Sequence, residues 1–197
     1  MEITFVSSSR AKRKVISKRA IENGLNINLA NLELYEEQSM DVSKVAISKA
    51  MYAHSILKKP VFVDDRGLRI AALNNFPGAL LKFAINTLGA EGIVKLMEKR
   101  NDRTAVFETA VAFMSSDLKK PIVFKSLEKG YIFKDVRKGK LRGWTDIIRV
   151  FSSPSFPNKA LSEMDDKEWE EYQKELSKND HITRFFSWIK KQNIYKD

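Results

Sequence analysis

The sequence predicts a mixed α/β fold, in which helices flank a mixed sheet that contains long antiparallel strands. The first observation is an N-terminal order of strand, helix, strand and helix, given by apolar runs and helical periodicity over residues 3–57. The second is a pair of consecutive long strand patterns at about 104–114 and 122–133, with no helical pattern between them. A regular alternation of strand and helix is therefore not expected along the whole chain.

Residues 3–57 contain four predicted elements, two strands and two helices. An apolar run at 3–6 predicts a strand, and the apolar spacing over 11–23 predicts a helix. The alternation over 27–34 predicts a second strand. Asp41 is expected to cap the next helix, whose apolar stripe over 42–57 includes Lys49.

The middle of the chain contains two predicted turns. A three-residue apolar strand at 61–63 runs directly into Asp64 and Asp65, where a turn is expected. The segment 74–78, Asn-Asn-Phe-Pro-Gly, predicts a second turn. Helical patterns follow at about 79–88 and 91–98.

The last third is expected to combine strands, a basic loop and two helices. The segment 134–142 holds five cations around Gly139, which predicts a solvated or phosphate-facing loop, and 147–151 resembles another strand. Asp165 and Asp180 are expected to cap the final two helices.

The composition limits the class of protein. A length of 197 residues is typical of one domain or of two modest lobes. A single domain over 1–197 is predicted. The apolar fraction of 43% is too high for a disordered chain, and no segment approaches the ~18 uninterrupted apolar residues of a membrane span. The N-terminal segment has no basic region before its apolar run and does not resemble a signal peptide. A soluble, cytoplasmic protein is therefore expected.

Charge and cysteine counts indicate partners and exclude several chemistries. Lys and Arg number 35 against 25 Asp and Glu, and the formal charge of +10 favours a polyanionic partner such as nucleic acid, phosphates or an anionic membrane. Cysteine is absent, which excludes disulfides, zinc–thiolate sites, iron–sulfur clusters and thiol nucleophiles. Two histidines leave little room for a His-rich metal site.

The turn between the first strand and the first helix is a candidate phosphate site. Ser7 and Ser9 supply hydroxyls, and Lys12 supplies a cation, at a helix N-terminus with free backbone N–H groups. The alternative to a phosphate site is that Ser9 is an ordinary helix cap and that Lys12 is a surface residue. No P-loop motif is present.

A second candidate site is the acidic pair Asp64 and Asp65. At the carboxyl end of an apolar strand, such residues would lie where open α/β sheets place their active sites. Adjacent carboxylates repel each other unless a cation offsets them, and magnesium is the natural partner for carboxylate and phosphate oxygens. Glu36 and Glu37, after another strand pattern, could add a metal ligand. Ordinary turn chemistry and exposed glutamates are the alternatives.

Two further positions have both a functional and a structural interpretation. Trp144, next to Thr145 and Asp146, is suited either to stacking on a nucleobase or to packing in the core. His181 lies at the start of the last predicted helix, where a histidine more often has a structural role than a catalytic one.

Taken in order, these motifs resemble the Ham1 family of inosine triphosphate pyrophosphatases. The similarity is strongest in the step Glu36-Glu37-Gln38, the helical Lys49, the run Val63-Asp64-Asp65-Arg66-Gly67-Leu68, and Ala72-Leu73-Asn74-Asn75-Phe76-Pro77-Gly78 with Lys82-Phe83. The resemblance implies hydrolysis of noncanonical purine nucleoside triphosphates (ITP, dITP, XTP) to monophosphate and pyrophosphate. It also implies two lobes with a cleft between them, Mg²⁺ as cofactor, a homodimer, and no membrane partner.

The resemblance also implies roles for residues of the phosphate site. Lys12 matches the N-terminal phosphate-binding lysine, and Lys49 matches the helical lysine that reaches the phosphates. Glu36, Asp64 and Asp65 match positions that hold magnesium, and Asp65 also matches the aspartate that activates the attacking water.

A base-binding set follows from the same resemblance. Its members match the family's FGWDP pocket, its K-x-x-x-E-M segment and its terminal Ser-His-Arg: Trp144, Thr145, Asp146, Lys159 and His181.

The chain departs from the family pattern mainly in base recognition. Arg142 stands where the family has a stacking Phe, Asp146 is displaced by one position, and Ile182 replaces the Arg after the histidine. The first turn has Ser9 in place of a phosphate-binding Asn, and Arg66 replaces a Thr. Phosphate chemistry is therefore better supported than base specificity.

Two alternatives stay open at this point. One is a divergent member with lost or altered base specificity, acting as a nucleotide-binding protein or another nucleotide phosphohydrolase. The other is an RNA- or DNA-binding protein, which the positive charge would suit. Nucleic acid is the less expected partner, because the cations are spread along the chain and no basic motif with interleaved aromatic residues is present.

Overall fold

The computed structural model describes residues 2–142 and 145–192, and it confirms the mixed α/β class. The strands are β1 (Thr4–Val6), β2 (Asn28–Ala30), β3 (Val61–Ile70), β4 (Pro77–Gly78), β5 (Thr104–Met114), β6 (Ile122–Ile132) and β7 (Phe151–Ser152). The helices are α1 (Arg10–Glu22), α2 (Val42–Leu57), α3 (Leu81–Leu96), α4 (Asp166–Ser177) and α5 (His181–Lys191). No helix among the described residues is long and apolar enough to cross a bilayer.

The seven strands form one mixed sheet. Its order is β2-β1-β3-β5-β6-β7, and β4 pairs with β3. Strand β1 runs parallel to both β2 and β3, with Phe5 opposite Leu29 on one side and opposite Phe62 on the other. The pairs β3/β4 and β6/β7 are antiparallel.

The chain divides into two compact units, each with its own core. Within the described residues, the first comprises 2–65, 109–126 and 179–192, and the second comprises 66–108 and 127–178. The single domain over 1–197 and the cleft between two lobes stay predictions.

Aromatic side chains dominate the core of the first unit. The ring of Phe62 on β3 lies 5.0 Å from that of Phe5 on β1 and 4.8 Å from that of Phe185 on α5. Four apolar residues of α5 are buried: Ile182, Phe185, Phe186 and Ile189. The apolar face of α5 therefore closes the face of the sheet that carries Phe62.

Helix α3 is interrupted at Gly89, where the backbone has φ 66° and ψ 179°. Glycine adopts this positive φ without a Cβ penalty. The backbone N–H of Ala90, which begins the second segment, donates to Oδ2 of Asp146 at 3.0 Å. The two separate helical patterns predicted over 79–98 are therefore confirmed, as two segments joined at a break.

Two predicted elements are wrong. Strand β3 does not end before Asp64 but continues through both aspartates to Ile70. The predicted strand over 147–151 is instead a 3₁₀ turn, Asp146–Arg149, followed by the two-residue β7. The hydroxyl of Thr145 accepts from the Ile147 N–H and starts this turn, and a short apolar run does not by itself distinguish a strand from a buried helical turn.

Asp180 caps α5 and pairs with α1. Its carboxylate accepts from the Thr183 N–H at 2.8 Å and from both terminal nitrogens of Arg19, at 2.6 and 2.7 Å. Burial alone would raise the pKa of Asp180, but the Arg19 charge and these hydrogen bonds outweigh it and hold the pKa below its usual value.

Replacing Asp180 by alanine is expected to lower the free energy of unfolding by about 2–3 kcal/mol near neutral pH, since both the cap and the bidentate pair are lost. Because the folded-state pKa is depressed, this stabilisation is present above the carboxyl pKa of the unfolded chain, about 3.9, and is lost as the pH falls below it. Urea unfolding of wild type and variant at pH 7 and pH 3 tests this. A difference that is unchanged at pH 3 would contradict the ionic origin.

Candidate active site

Asp64 and Asp65 lie in the middle of β3, and their carboxylates have different partners on different helices. Successive side chains of a strand point to opposite faces of the sheet. Asp64 contacts Lys12 of α1 and His181 of α5, whereas Asp65 contacts Lys49 of α2. The adjacent acids are therefore separated by the strand, and each has its own cation.

Lys49 joins Asp65 to Glu36. Its Nζ lies 2.8 Å from Oδ1 of Asp65 and 2.8 Å from Oε1 of Glu36. The side chains of Lys49 and Asp65 are 11% and 10% exposed, whereas Glu36 is largely exposed. Burial alone would lower the pKa of Lys49, but the attraction and hydrogen bonds of the two carboxylates outweigh it and raise the pKa. Lys49 is therefore a fixed positive charge.

Asp65 has one buried oxygen without a hydrogen-bond partner among the described residues. Oδ1 accepts from Lys49, but Oδ2 has no hydrogen-bond partner. Burial raises the pKa of the carboxyl above its usual value, with Lys49 and Lys12 opposing the change. A buried carboxylate with a free oxygen and a raised pKa is suited to accepting a proton or contacting a cation.

Asp64 has a partner on each oxygen. Oδ2 pairs with Nζ of Lys12 at 3.0 Å, and Nε2 of His181 lies 2.8 Å from Oδ1. Burial alone would raise the pKa of Asp64, but Lys12 and the His181 hydrogen bond outweigh it and hold the pKa well below its usual value. Nζ of Lys12 also donates to the backbone carbonyl of Asp64 at 2.9 Å. Asp64 thus holds Lys12 through two acceptors.

Ser9 caps α1 in the first turn. Its hydroxyl accepts from the Lys12 N–H at 3.3 Å, and its own N–H donates to the Ser7 hydroxyl at 3.2 Å. Arg13 donates to the Ser7 carbonyl and to Oδ1 of Asn31. Local bonds therefore order this turn next to Lys12, and phosphate binding by Ser7 and Ser9 stays a prediction.

The three carboxylates predicted to hold a metal ion do not converge on one point. Among residues 2–142 and 145–192, no group of three or more His, Asp or Glu side chains is arranged to hold a metal. Lys49 links Glu36 and Asp65, and the orphaned Oδ2 of Asp65 is a hard donor, whereas both oxygens of Asp64 are occupied. Two carboxylates fit a divalent cation whose other ligands come from phosphate and water.

The predicted base-binding residues are not all described. Trp144 lies outside the described residues, and Thr145 and Asp146 form the start of the 3₁₀ turn. Oδ1 of Asp146 is buried without a partner among the described residues. Lys159 pairs with Glu168 at 2.5 Å on the surface of the second unit. Base binding by these residues stays a prediction.

His181 lies in the first unit with the phosphate-site candidates. Nδ1 of its ring lies 2.9 Å from the Thr109 hydroxyl, and the backbone N–H donates to the hydroxyl of Ser126. Sequence reasoning missed Thr109 and Ser126, since both are ordinary polar positions inside long strand patterns and no local motif marks them. Arg19 was missed because it is an ordinary basic position in a helical pattern.

Comparisons with known proteins identify the family of the chain. The Ham1 family profile matches residues 3–176. The chain is 38% identical over 128 residues to the dITP/XTP pyrophosphatase of Saccharolobus solfataricus, covering 64% of this chain and 66% of that protein. It is 36% identical over 137 residues to the dITP/XTP pyrophosphatase of Methanothermobacter marburgensis (70% and 72% covered), and 32% identical over 160 residues to the inosine triphosphate pyrophosphatase of Saccharomyces cerevisiae (77% and 80% covered).

Solved structures support the same fold. A HAM1 protein from Coxiella burnetii has a TM-score of 0.78 at 20% identity, covering 96% of this chain and 98% of that one. The Ham1 protein of Staphylococcus aureus has a TM-score of 0.71 at 21% identity, covering 96% and 98%. With a family profile over most of its length and relatives above 30% identity, this chain belongs to the Ham1 family.

Proposed function

We propose that this protein hydrolyses noncanonical purine nucleoside triphosphates, such as ITP, dITP and XTP, to the monophosphate and pyrophosphate. The observation that carries the proposal is the buried Asp65, whose Oδ1 is fixed by Lys49 and whose Oδ2 is free among the described residues. The relatives named dITP/XTP pyrophosphatase and inosine triphosphate pyrophosphatase supply the substrate class.

Asp65 acts as general base in this mechanism. Oδ2 accepts a proton from a water molecule, and the water oxygen attacks the α-phosphorus of the triphosphate. The bond from the α-phosphorus to the bridging oxygen breaks, and that oxygen leaves with pyrophosphate. Lys49 holds the carboxylate in place and keeps its positive charge next to the reaction.

Lys12 contributes positive charge at the other side of β3. An ammonium group has three N–H donors, and Asp64 accepts from two of them through Oδ2 and its carbonyl oxygen. One donor is left for a phosphate oxygen. Fixed cations stabilise the charge that develops as the phosphoanhydride bond breaks.

We propose Mg²⁺ as the cofactor, held by Glu36 and the phosphates of the substrate, with the Asp65 carboxylate next to the ion. Magnesium is commonly bound through one or two carboxylates together with substrate phosphates and water. When bound, the ion would neutralise the triphosphate and polarise its phosphoryl oxygens. Asp64 is not included in this set, since Lys12 and His181 occupy its oxygens.

A divergent member with altered base specificity is the second candidate. It is favoured by Arg142, which stands at the position where the resemblance places a stacking Phe. The guanidinium of Arg142 lies 5.2 Å from the centre of the Trp169 ring. The phosphate-handling residues are unaffected by this change. Homodimer formation and a cytoplasmic location also stay predictions.

Assay of purified protein with dITP, XTP, dATP and dGTP is expected to give Mg²⁺-dependent release of pyrophosphate, fastest with the deaminated purines. EDTA should abolish turnover, and excess Mg²⁺ should restore it. Equal rates with all four substrates would support altered specificity instead. Orthophosphate as the first product, or no turnover with any triphosphate, would refute the proposal.

A further inference from the structure

His181 has four polar contacts within the first unit. Nε2 faces Oδ1 of Asp64 at 2.8 Å. Nδ1 faces the Thr109 hydroxyl at 2.9 Å and, less closely, the Ser126 hydroxyl at 3.3 Å, and the backbone N–H donates to the Ser126 hydroxyl. The residue is 8% exposed. A side chain with both ring nitrogens engaged has one orientation, so its contacts define a fixed geometry.

The tautomer of the ring follows from its partners. Asp64 is an ionised carboxylate and only accepts hydrogen bonds, so Nε2 carries the hydrogen. When Nε2 carries the only ring hydrogen, Nδ1 is an acceptor and the Thr109 hydroxyl donates to it. In that tautomer the hydrogen bonds run in one direction, from Thr109 through His181 to Asp64.

The chain of contacts ends at Lys12. Asp64 holds the Lys12 ammonium by Oδ2 and by its backbone carbonyl, and Lys12 belongs to α1. The far end of α1 carries Arg19, which binds Asp180, the residue that precedes His181. One end of α1 thus contacts Asp64, which binds the imidazole, and the other end contacts Asp180, which precedes it.

We propose that Thr109 and His181 are positioning residues, which fix the Asp64 carboxylate and thereby aim the Lys12 ammonium at the phosphates of the substrate. The proposal rests on the proposed function, because the phosphates are those of its triphosphate substrate. The base contact that the resemblance implies for His181 is a different role, since here both ring nitrogens have protein partners.

Thr109→Val removes the hydroxyl at nearly constant volume and is the central variant. The KM for dITP is expected to rise about fivefold to tenfold, the usual effect of one lost hydrogen bond, with kcat changed less than about twofold. Thr109→Ser keeps the hydroxyl and should restore the wild-type KM. Thr104→Val, at the exposed start of the same strand, is the matched control.

A double-mutant cycle with Lys12→Met separates positioning from a general structural effect. If Thr109 acts through Lys12, Thr109→Val should raise KM in the wild-type background and have no further effect in Lys12→Met. If the fold-changes in KM of the two single variants multiply in the double variant, the proposal is overturned. An unchanged KM in Thr109→Val, with only a lower melting temperature, would also overturn it.

Nuclear magnetic resonance gives a readout that does not need turnover. The sequence has two histidines, so the ring ¹⁵N signals of His181 are assigned by comparison with His54→Gln. The expected state is hydrogen on Nε2, with the Nδ1 signal shifted in Thr109→Val. Hydrogen on Nδ1 alone would refute the hydrogen bonds from Thr109 through His181 to Asp64. If the wild type shows the expected ¹⁵N signals but no turnover, the proposed function is refuted and the hydrogen-bond geometry is not.

Discussion

Replacing Asp65 by asparagine is expected to slow pyrophosphate release from dITP by a factor of about 10²–10⁴, the usual contribution of general base catalysis. Asparagine has nearly the same shape, but its amide does not accept a proton from water. The change should appear mainly in kcat, since Lys12 and Lys49 remain available for the phosphates. Steady-state assays with saturating Mg²⁺ measure it.

Asp117→Asn is the matched control for this variant. Asp117 is exposed in the same unit and lies outside the site, so its amide variant should keep wild-type kinetics. Circular dichroism and thermal melting establish that Asp65→Asn is folded. A folded Asp65→Asn protein with rates within about threefold of wild type would remove Asp65 from the base role.

Replacing Lys49 by methionine is expected to lower both activity and stability. Removing one partner of a buried ion pair costs about 3–5 kcal/mol, because the other charge is left without a partner. Asp65 reduces this cost by taking up a proton, so its pKa should rise further above its usual value. A protonated Asp65 is no base, and kcat near neutral pH should fall at least about 10²-fold.

The pH dependence of stability distinguishes this account from simple loss of packing. In Lys49→Met the folded protein binds the Asp65 proton more tightly than the unfolded chain does. Its stability should therefore fall as the pH rises from the unfolded pKa towards the raised folded pKa. The deficit relative to wild type should be larger at pH 8 than at pH 5, measured by urea unfolding. Lys44→Met, at an exposed position of α2, is the control, and a deficit independent of pH would argue against a stranded carboxylate.

Much of the fold was predictable because local patterns and tertiary structure agree. The stripe over 42–57 and the strand pattern over 104–114 coincide with α2 and β5 at both ends. Asp41, Asp165 and Asp180 cap helices through their side chains as predicted, since capping depends on residues within one turn. The break at Gly89 was likewise visible as two separate helical patterns.

The course of β3 was not predictable from local preference. Aspartate, arginine and glycine together favour a turn, but strand preference depends strongly on the neighbouring strands and side chains. Here Lys12 and Lys49 come from two different helices to neutralise Asp64 and Asp65, and this makes a strand possible through both acids. No spacing in the sequence records which lysine meets which aspartate.

Because Asp64 and Asp65 contact different helices from the two faces of β3, the order of the residues in this strand is more important than their composition. A slip of one position in the strand would exchange the faces, presenting Asp65 to α1 and α5 and Asp64 to α2. It would also move Phe62 out of the aromatic core, where it packs against Phe5 and Phe185. Insertions or deletions within 61–65 should therefore be rejected during evolution even where substitutions at the same positions are accepted.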